Sequence, residues 1–176
     1  RNELRKKLGK AYAERLDAIF ATHADLGPYT LREVMAYGVG EYERSRVAAQ
    51  FLKNNDLGGF GELMWLSHDG DRVNGRYIYS PWQGLHDDEP LYRMVGAYAC
   101  STPEIDDMID IARTTPGVYG AQLAGAGLGG CVMILAHLSA VGRIKARLTR
   151  EYYQPRGMPP ALWQVRGVSG AGLIRP

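Results

Sequence analysis

Residues 119–138 read YGAQLAGAGLGGCVMILAHL, with glycine at 125, 127, 129 and 130 between two apolar runs. Glycine loses more backbone freedom on ordering than any other residue, so a cluster needs a reason. One reason is a tight turn. Another is close approach of the backbone to something anionic, such as a phosphate. The flanks, VYGAQLA and CVMILAHL, are rich in strand-forming residues and read as two short strands. A plain hairpin turn and a ligand-facing loop both satisfy this pattern.

Outward from the hairpin, the period becomes helical. SAVGRIKARLTREYYQ follows with Ser139 as the expected cap, and ALWQVRG alternates as a further strand, with AGLI a candidate for another. Before the hairpin, Thr102 and Pro103 open PEIDDMIDIART, which carries acids in its first turn where the helix dipole favours them. Pro116 and Gly117 end it. Near the N-terminus, Leu4, Leu8, Tyr12, Leu16 and Ile19 or Phe20 recur at helical spacing over residues 2–23. Arg1, Arg5, Lys6, Lys7 and Lys10 form the wet face of that helix. Gly27 and Pro28 break it, and Thr30 with Glu33 marks the start of TLREVMAYGV. A helix over about 38–54 is expected to bury Val39, Tyr42, Val47 or Ala48, and Phe51. Another, in DLGGFGELMWLSHDG, turns Phe60, Leu63, Met64 and Ser67 inward. Residues 69–100 are the least regular, with RYIYS as a short strand. Helices thus dominate early and strands appear late. The expected class is α+β, a small, mostly antiparallel sheet packed against several helices.

The bulk numbers narrow the function. A chain of 176 residues can bury one real core. Its net charge of +2 is too small to argue for nucleic acid or a membrane surface as partner. Cys100 and Cys131 make neither a disulfide framework nor a zinc pattern, and a reducing, cytoplasmic setting is expected. No stretch is long and apolar enough to cross a bilayer. The opening RNELRKKLGK, already helical and charged, reads as text cut from inside a larger protein.

Isolated motifs carry little. Gly125, Gly127 and Gly130 match G-x-G-x-x-G, and Glu151 lies about 20 residues on, but a dinucleotide loop needs a helix directly after it. CVMILAHL is strand-like instead. A Walker A loop also fails, since no Lys-Ser or Lys-Thr follows the glycines. Asp69, Asp71, Asn74 and Gly75 resemble a calcium loop, but the spacing slips by one and Ser80 stands where a bidentate glutamate is needed. His68 and Asp69, adjacent on a helix, cannot face each other. His86, Asp87, Asp88 and Glu89 read as a solvated loop. His23 and His137 stand alone, and His137 reads as a core histidine. No catalytic residue and no metal site emerge from spacing alone.

The order of features says more. FGELMWLSHDG, STPEIDDMIDIA, GVYGAQLAGAGLGGCVMIL and YYQPRGMPPALWQVRGVSGAG together resemble the C-terminal domain of galactokinases, in the GHMP kinase superfamily. AYGVGEYERSRVAAQFLKNND resembles that family's E-x-x-R helix, and RNELRKKLG the helix after its hinge. The match runs over nearly all of residues 1–176, read as a single C-terminal domain with an enlarged loop at about 69–100. That loop carries Tyr77, Tyr79, Trp82, His86 and Tyr92.

The resemblance implies transfer of the γ-phosphate of Mg-ATP to the anomeric hydroxyl of a monosaccharide, galactose first. It implies that Gly125, Ala126, Gly127, Leu128, Gly129 and Gly130 lie against the nucleotide loop of the N-terminal domain, the natural partner. The catalytic aspartate and arginine, and most contacts to ATP and Mg2+, belong to that domain, so residues 1–176 alone are expected to be inactive. Two departures stand out: Ala124 where the family has threonine or serine, and Gln122 where it has lysine or arginine. They keep open a non-catalytic sugar or nucleotide sensor. A kinase for arabinose, fucose or an N-acetylhexosamine is a further alternative.

Overall fold

The computed structural model describes residues 1–22, 29–74 and 89–167. At its centre, β1 (Val118–Ala124) pairs antiparallel with β2 (Cys131–Ala136), with Ala124 opposite Cys131 and Val118 opposite Ala136. This is the expected hairpin, with Gly125–Gly130 as its loop. Side chains alternate across a strand, so each face of β1 meets a different layer. Ala121 and Leu123 enter a core with Ile105 and Ile109 of α5 (Pro103–Arg113), Ile144 and Leu148 of α6 (Val141–Leu148), and Tyr152 and Tyr153 beyond it. Gly120 and Gln122 face the other way, toward α4 (Leu57–Asp71).

The contact between α4 and β1 depends on two glycines. A Cβ on Gly120 would strike the backbone of Gly61, and one on Gly61 would strike the backbone of Tyr119. Backbone therefore lies directly on backbone, which only residues without a side chain permit. Helix α4 is covered in turn by α3 (Leu31–Lys53). The N-terminal helices α1 (Asn2–Leu8) and α2 (Ala13–Ala21) fold on each other, with Phe20 stacked on Tyr29 at 5.8 Å.

Several expectations change. The helix expected over 2–23 is interrupted at Gly9, whose φ of +70° stops α1. The two helices expected over residues 30–54 are one, because Gly38 and Gly40 are carried inside α3 without a break. Its buried face is Ala36, Gly40 and Arg44, while Val39 and Tyr42 are exposed. No side chain fits at Gly40, because the Met94 carbonyl lies against it. Helix α4 runs through Asp71, so the irregular link begins at Arg72 rather than at 69. ALWQVRG is not a strand: Leu162 reaches the core, but Trp163 and Val165 are exposed and, among the described residues, no neighbouring strand pairs with them. Alternation alone does not supply hydrogen-bond partners. RYIYS and AGLI, the Gly27–Pro28 break, and His23, Tyr77, Tyr79, Trp82, His86, Asp87 and Asp88 lie outside the described residues.

Caps divide similarly. Thr102 caps α5 by accepting from the Ile105 amide at 3.4 Å. Thr30 stands at the start of α3 without a side-chain cap bond. Ser139 does not cap α6; it lies in a short turn before it, and His137, exposed rather than in the core, accepts from the Ser139 amide at 3.3 Å.

Candidate functional site

The loop Gly125–Gly130 forms the turn end of the hairpin. Leu128, at its tip, is 82% exposed. Gly125, Gly127, Gly129 and Gly130 all have positive φ, between +89° and +124°, and Leu128 joins them at +61°. L-residues avoid this region, leucine included. The glycines here are therefore demanded by the backbone path. At Gly127 there is a second demand: a Cβ would collide with the carbonyl and side chain of Cys100. The Leu128 amide donates to the Cys100 carbonyl at 2.7 Å, and the Cys100 thiol donates to the Ala126 carbonyl at 3.0 Å. Gly125 and Gly129 have nothing within 4 Å of where a Cβ would sit, so their outer side is open.

Near the C-terminal end of α4 lies a set of buried charges. Asp69 is fully buried, with Arg72 Nε at 2.8 Å and Arg113 Nη1 at 3.0 Å. Arg72 reaches on to Asp110 at 2.5 Å, and Arg113 lies 4.7 Å over the Trp65 ring. Burial works against the Arg72 charge, but the carboxylates of Asp110 and Asp69 outweigh it and raise its pKa. His68 Nε2 lies 3.2 Å from Asp106 Oδ1, within ion-pair reach though off hydrogen-bond geometry, and both side chains are wholly buried. Burial opposes ionisation of Asp106. The neighbouring His68 ring and Ser101 hydroxyl, with hydrogen bonds from the amides of Val73 and Asn74, prevail and lower its carboxyl to about 2. Asp71 accepts from the Tyr37 hydroxyl at 2.8 Å. Burial raises its carboxyl pKa despite that bond, and raises the Tyr37 hydroxyl still more, helped by Glu41 and Asp71.

His68 and Asp69 thus face different partners, as their adjacency requires. Asp69, Asp71 and Asn74 serve the interior and do not converge as calcium ligands. Glu89 pairs with Arg93 at 3.3 Å. Arg5, Lys6, Lys7 and Lys10 are exposed, as a wet helix face should be, with Arg5 joined to Asp17 at 2.5 Å. Arg1 is half-buried, 4.9 Å over the Phe20 ring. Gln122 helps line a groove of about 210 Å³ between α3, α4 and β1, with Glu41, Arg44 and Ser67. The contact between Cys100 and the loop has no signature in the sequence. The Asp69–Arg72 spacing was readable on a helix, but Arg113 joins them from 44 residues away.

Residues 48–154 match the family described as GHMP kinases C terminal. The chain belongs to that family. Curated relatives of this GHMP domain include the galactokinase of Bos taurus, 33% identical over 115 residues, which cover 65% of this chain and 24% of that protein. The galactokinase of Roseiflexus sp. strain RS-1 is 29% identical over 154 residues, 88% of this chain and 34% of that one. Among solved structures, Lactococcus lactis galactokinase complexed with galactose superposes with a TM-score of 0.54 at 25% identity, over 83% of this chain and 31% of that chain. This GHMP domain is galactokinase-like, and it spans about a quarter to a third of the length of the relatives it matches.

Proposed function

We propose that the full-length protein is an ATP-dependent sugar 1-kinase and that this domain supplies one wall of its cleft. One observation carries the reading: within a galactokinase-like GHMP domain, the loop of Gly125, Ala126, Gly127, Leu128, Gly129 and Gly130 is exposed at its tip and leaves open space where Gly125 and Gly129 lack a Cβ. Phosphoryl transfer depends on positioning and electrostatics more than on covalent chemistry. A backbone wall fits a triphosphate held by a neighbouring N-terminal lobe. When bound, Mg-ATP supplies the transferred phosphoryl group and the charge neutralisation. Mg2+ and the catalytic groups are assigned to that lobe by the likeness to galactokinases, of which this chain spans only a part. The domain alone is then inactive, and the cellular setting is cytoplasmic. Galactose is the first candidate acceptor, since the relatives are galactokinases and the solved neighbour holds galactose.

Ala124 favours a second reading, a sugar or nucleotide sensor, because it brings no hydroxyl to the edge of the loop. Coupled ADP release by the full-length protein, across galactose, arabinose, fucose and N-acetylhexosamines, decides between them. Sugar-dependent release with one of these supports the kinase. Binding without release supports the sensor.

A further inference from the structure

The segment Val95–Ser101 closes the link between α4 and α5, and it is tied down along its length. Val95 is fully buried. The Ala97 amide donates to the Glu33 carbonyl at 3.0 Å, Tyr98 to Gly70 at 2.7 Å and Ser101 to Asp71 at 2.8 Å. The Tyr98 ring stacks on Tyr37 at 5.3 Å, and the Tyr37 hydroxyl is held in turn by Asp71. At Ala99 the backbone turns into the left-handed region, with φ of +56°, and delivers Cys100 to the glycine loop.

Cys100 then makes bonds of opposite sense. Its carbonyl accepts from Leu128, and its thiol donates to the Ala126 carbonyl, one on each side of Gly127. Gly127 has no Cβ where Cys100 lies. A loop of this composition explores many conformations unless something restrains it. Two bonds that fix the peptide groups flanking Gly127 are such a restraint.

We propose that the Val95–Ser101 strap is a brace that sets the shape of the glycine loop, with Cys100 as the positioning residue and the Tyr37–Asp71 pair as its anchor. The effect on turnover rests on the kinase reading; the effect on the loop does not.

The test uses the full-length protein. Cys100→Val keeps the size of the side chain and removes the donor, whereas Cys100→Ser keeps a donor. Tyr37→Phe removes the bond to Asp71 and keeps the ring stack. Hydrogen exchange of the peptide covering Gly125–Gly130 is read beside the KM for ATP, the KM for sugar and Tm. One neutral hydrogen bond corresponds to a change of about fivefold. Cys100→Val should speed loop exchange and raise the ATP KM by about that factor, with sugar KM and Tm held. Cys100→Ser should restore most of both. Tyr37→Phe should speed loop exchange by about twofold. Wild-type loop exchange in Cys100→Val, or a serine variant as loose as the valine one, overturns the brace. Faster exchange with an unchanged ATP KM leaves the brace standing and counts against the loop's role at the nucleotide.

Discussion

The glycine loop and the ionic cluster at the end of α4 are joined by one strap, yet they are built from opposite materials. In the loop, side chains are mostly missing, and the backbone takes positive φ from Gly127 through Gly130. In the cluster, the Asp69 and Arg72 side chains have no exposure at all. Buried charges are costly unless paired, so each member depends on the others. The loop holds no buried charge, and a Cβ added at Gly125 or Gly129 would meet open space. The difference separates stability from function. Removing a group from the cluster should destabilise the domain, whereas adding one to the loop should leave the fold standing and disturb whatever docks there.

The largest expected effect is Asp69→Ala. It leaves Arg72 and Arg113 buried beside a missing carboxylate and should cost about 3–5 kcal/mol. Tm should fall on the order of 10 °C, measured by thermal unfolding of the domain. A loss within about 0.5 kcal/mol would make the cluster incidental.

Next comes the pH dependence of Asp106. Its folded pKa of about 2 lies below the ordinary 3.8, so its stabilisation is complete above the unfolded value and is lost as pH falls through the folded one. Urea unfolding should show Asp106 contributing about 2 kcal/mol that disappears between roughly pH 4 and pH 2. Asp71, raised by burial, acts in the opposite sense, favouring the fold below its unfolded value and losing that contribution as pH rises through the folded one. Comparison with Asp106→Asn isolates the Asp106 part. An unchanged acid limb in that variant would remove His68 and the Val73 and Asn74 amides as its cause.

A smaller effect belongs to Gly125→Ala. The new methyl meets open space, but φ of +98° suits no L-residue, so about 1–2 kcal/mol of stability should go. A loss as large as that of Asp69→Ala would show the loop to be part of the stabilising interior, and the contrast would fail.

The sequence disclosed these regions unequally. The hairpin was legible, since two runs of strand formers bracket the glycines, and β1 spans the seven residues VYGAQLA. The α5 start was legible because Thr102 and Pro103 are local signals with local causes. The buried face of α3 was not, because hydrophobicity pointed to Val39 and Tyr42. What the fold requires at that contact is lack of bulk at Gly40, opposite a carbonyl from residue 94. His137 misled for a related reason, being read as a core residue from its apolar flank. The glycines admitted two readings, turn or ligand wall, and the Gly127–Cys100 contact adds a third cause, internal packing, that no local pattern reveals. Tertiary partners decide such positions, and they lie tens of residues away.

The central claim is that the outer side of the glycine loop meets the nucleotide. Gly129→Val in the full-length protein tests it most directly, since a Cβ at that position meets nothing else in the domain. Steady-state kinetics with ATP and the accepted sugar should show kcat/KM for ATP lower by about a hundredfold, near 2.7 kcal/mol, with Tm reduced only by the backbone strain. Wild-type kcat/KM in a folded Gly129→Val protein would contradict it.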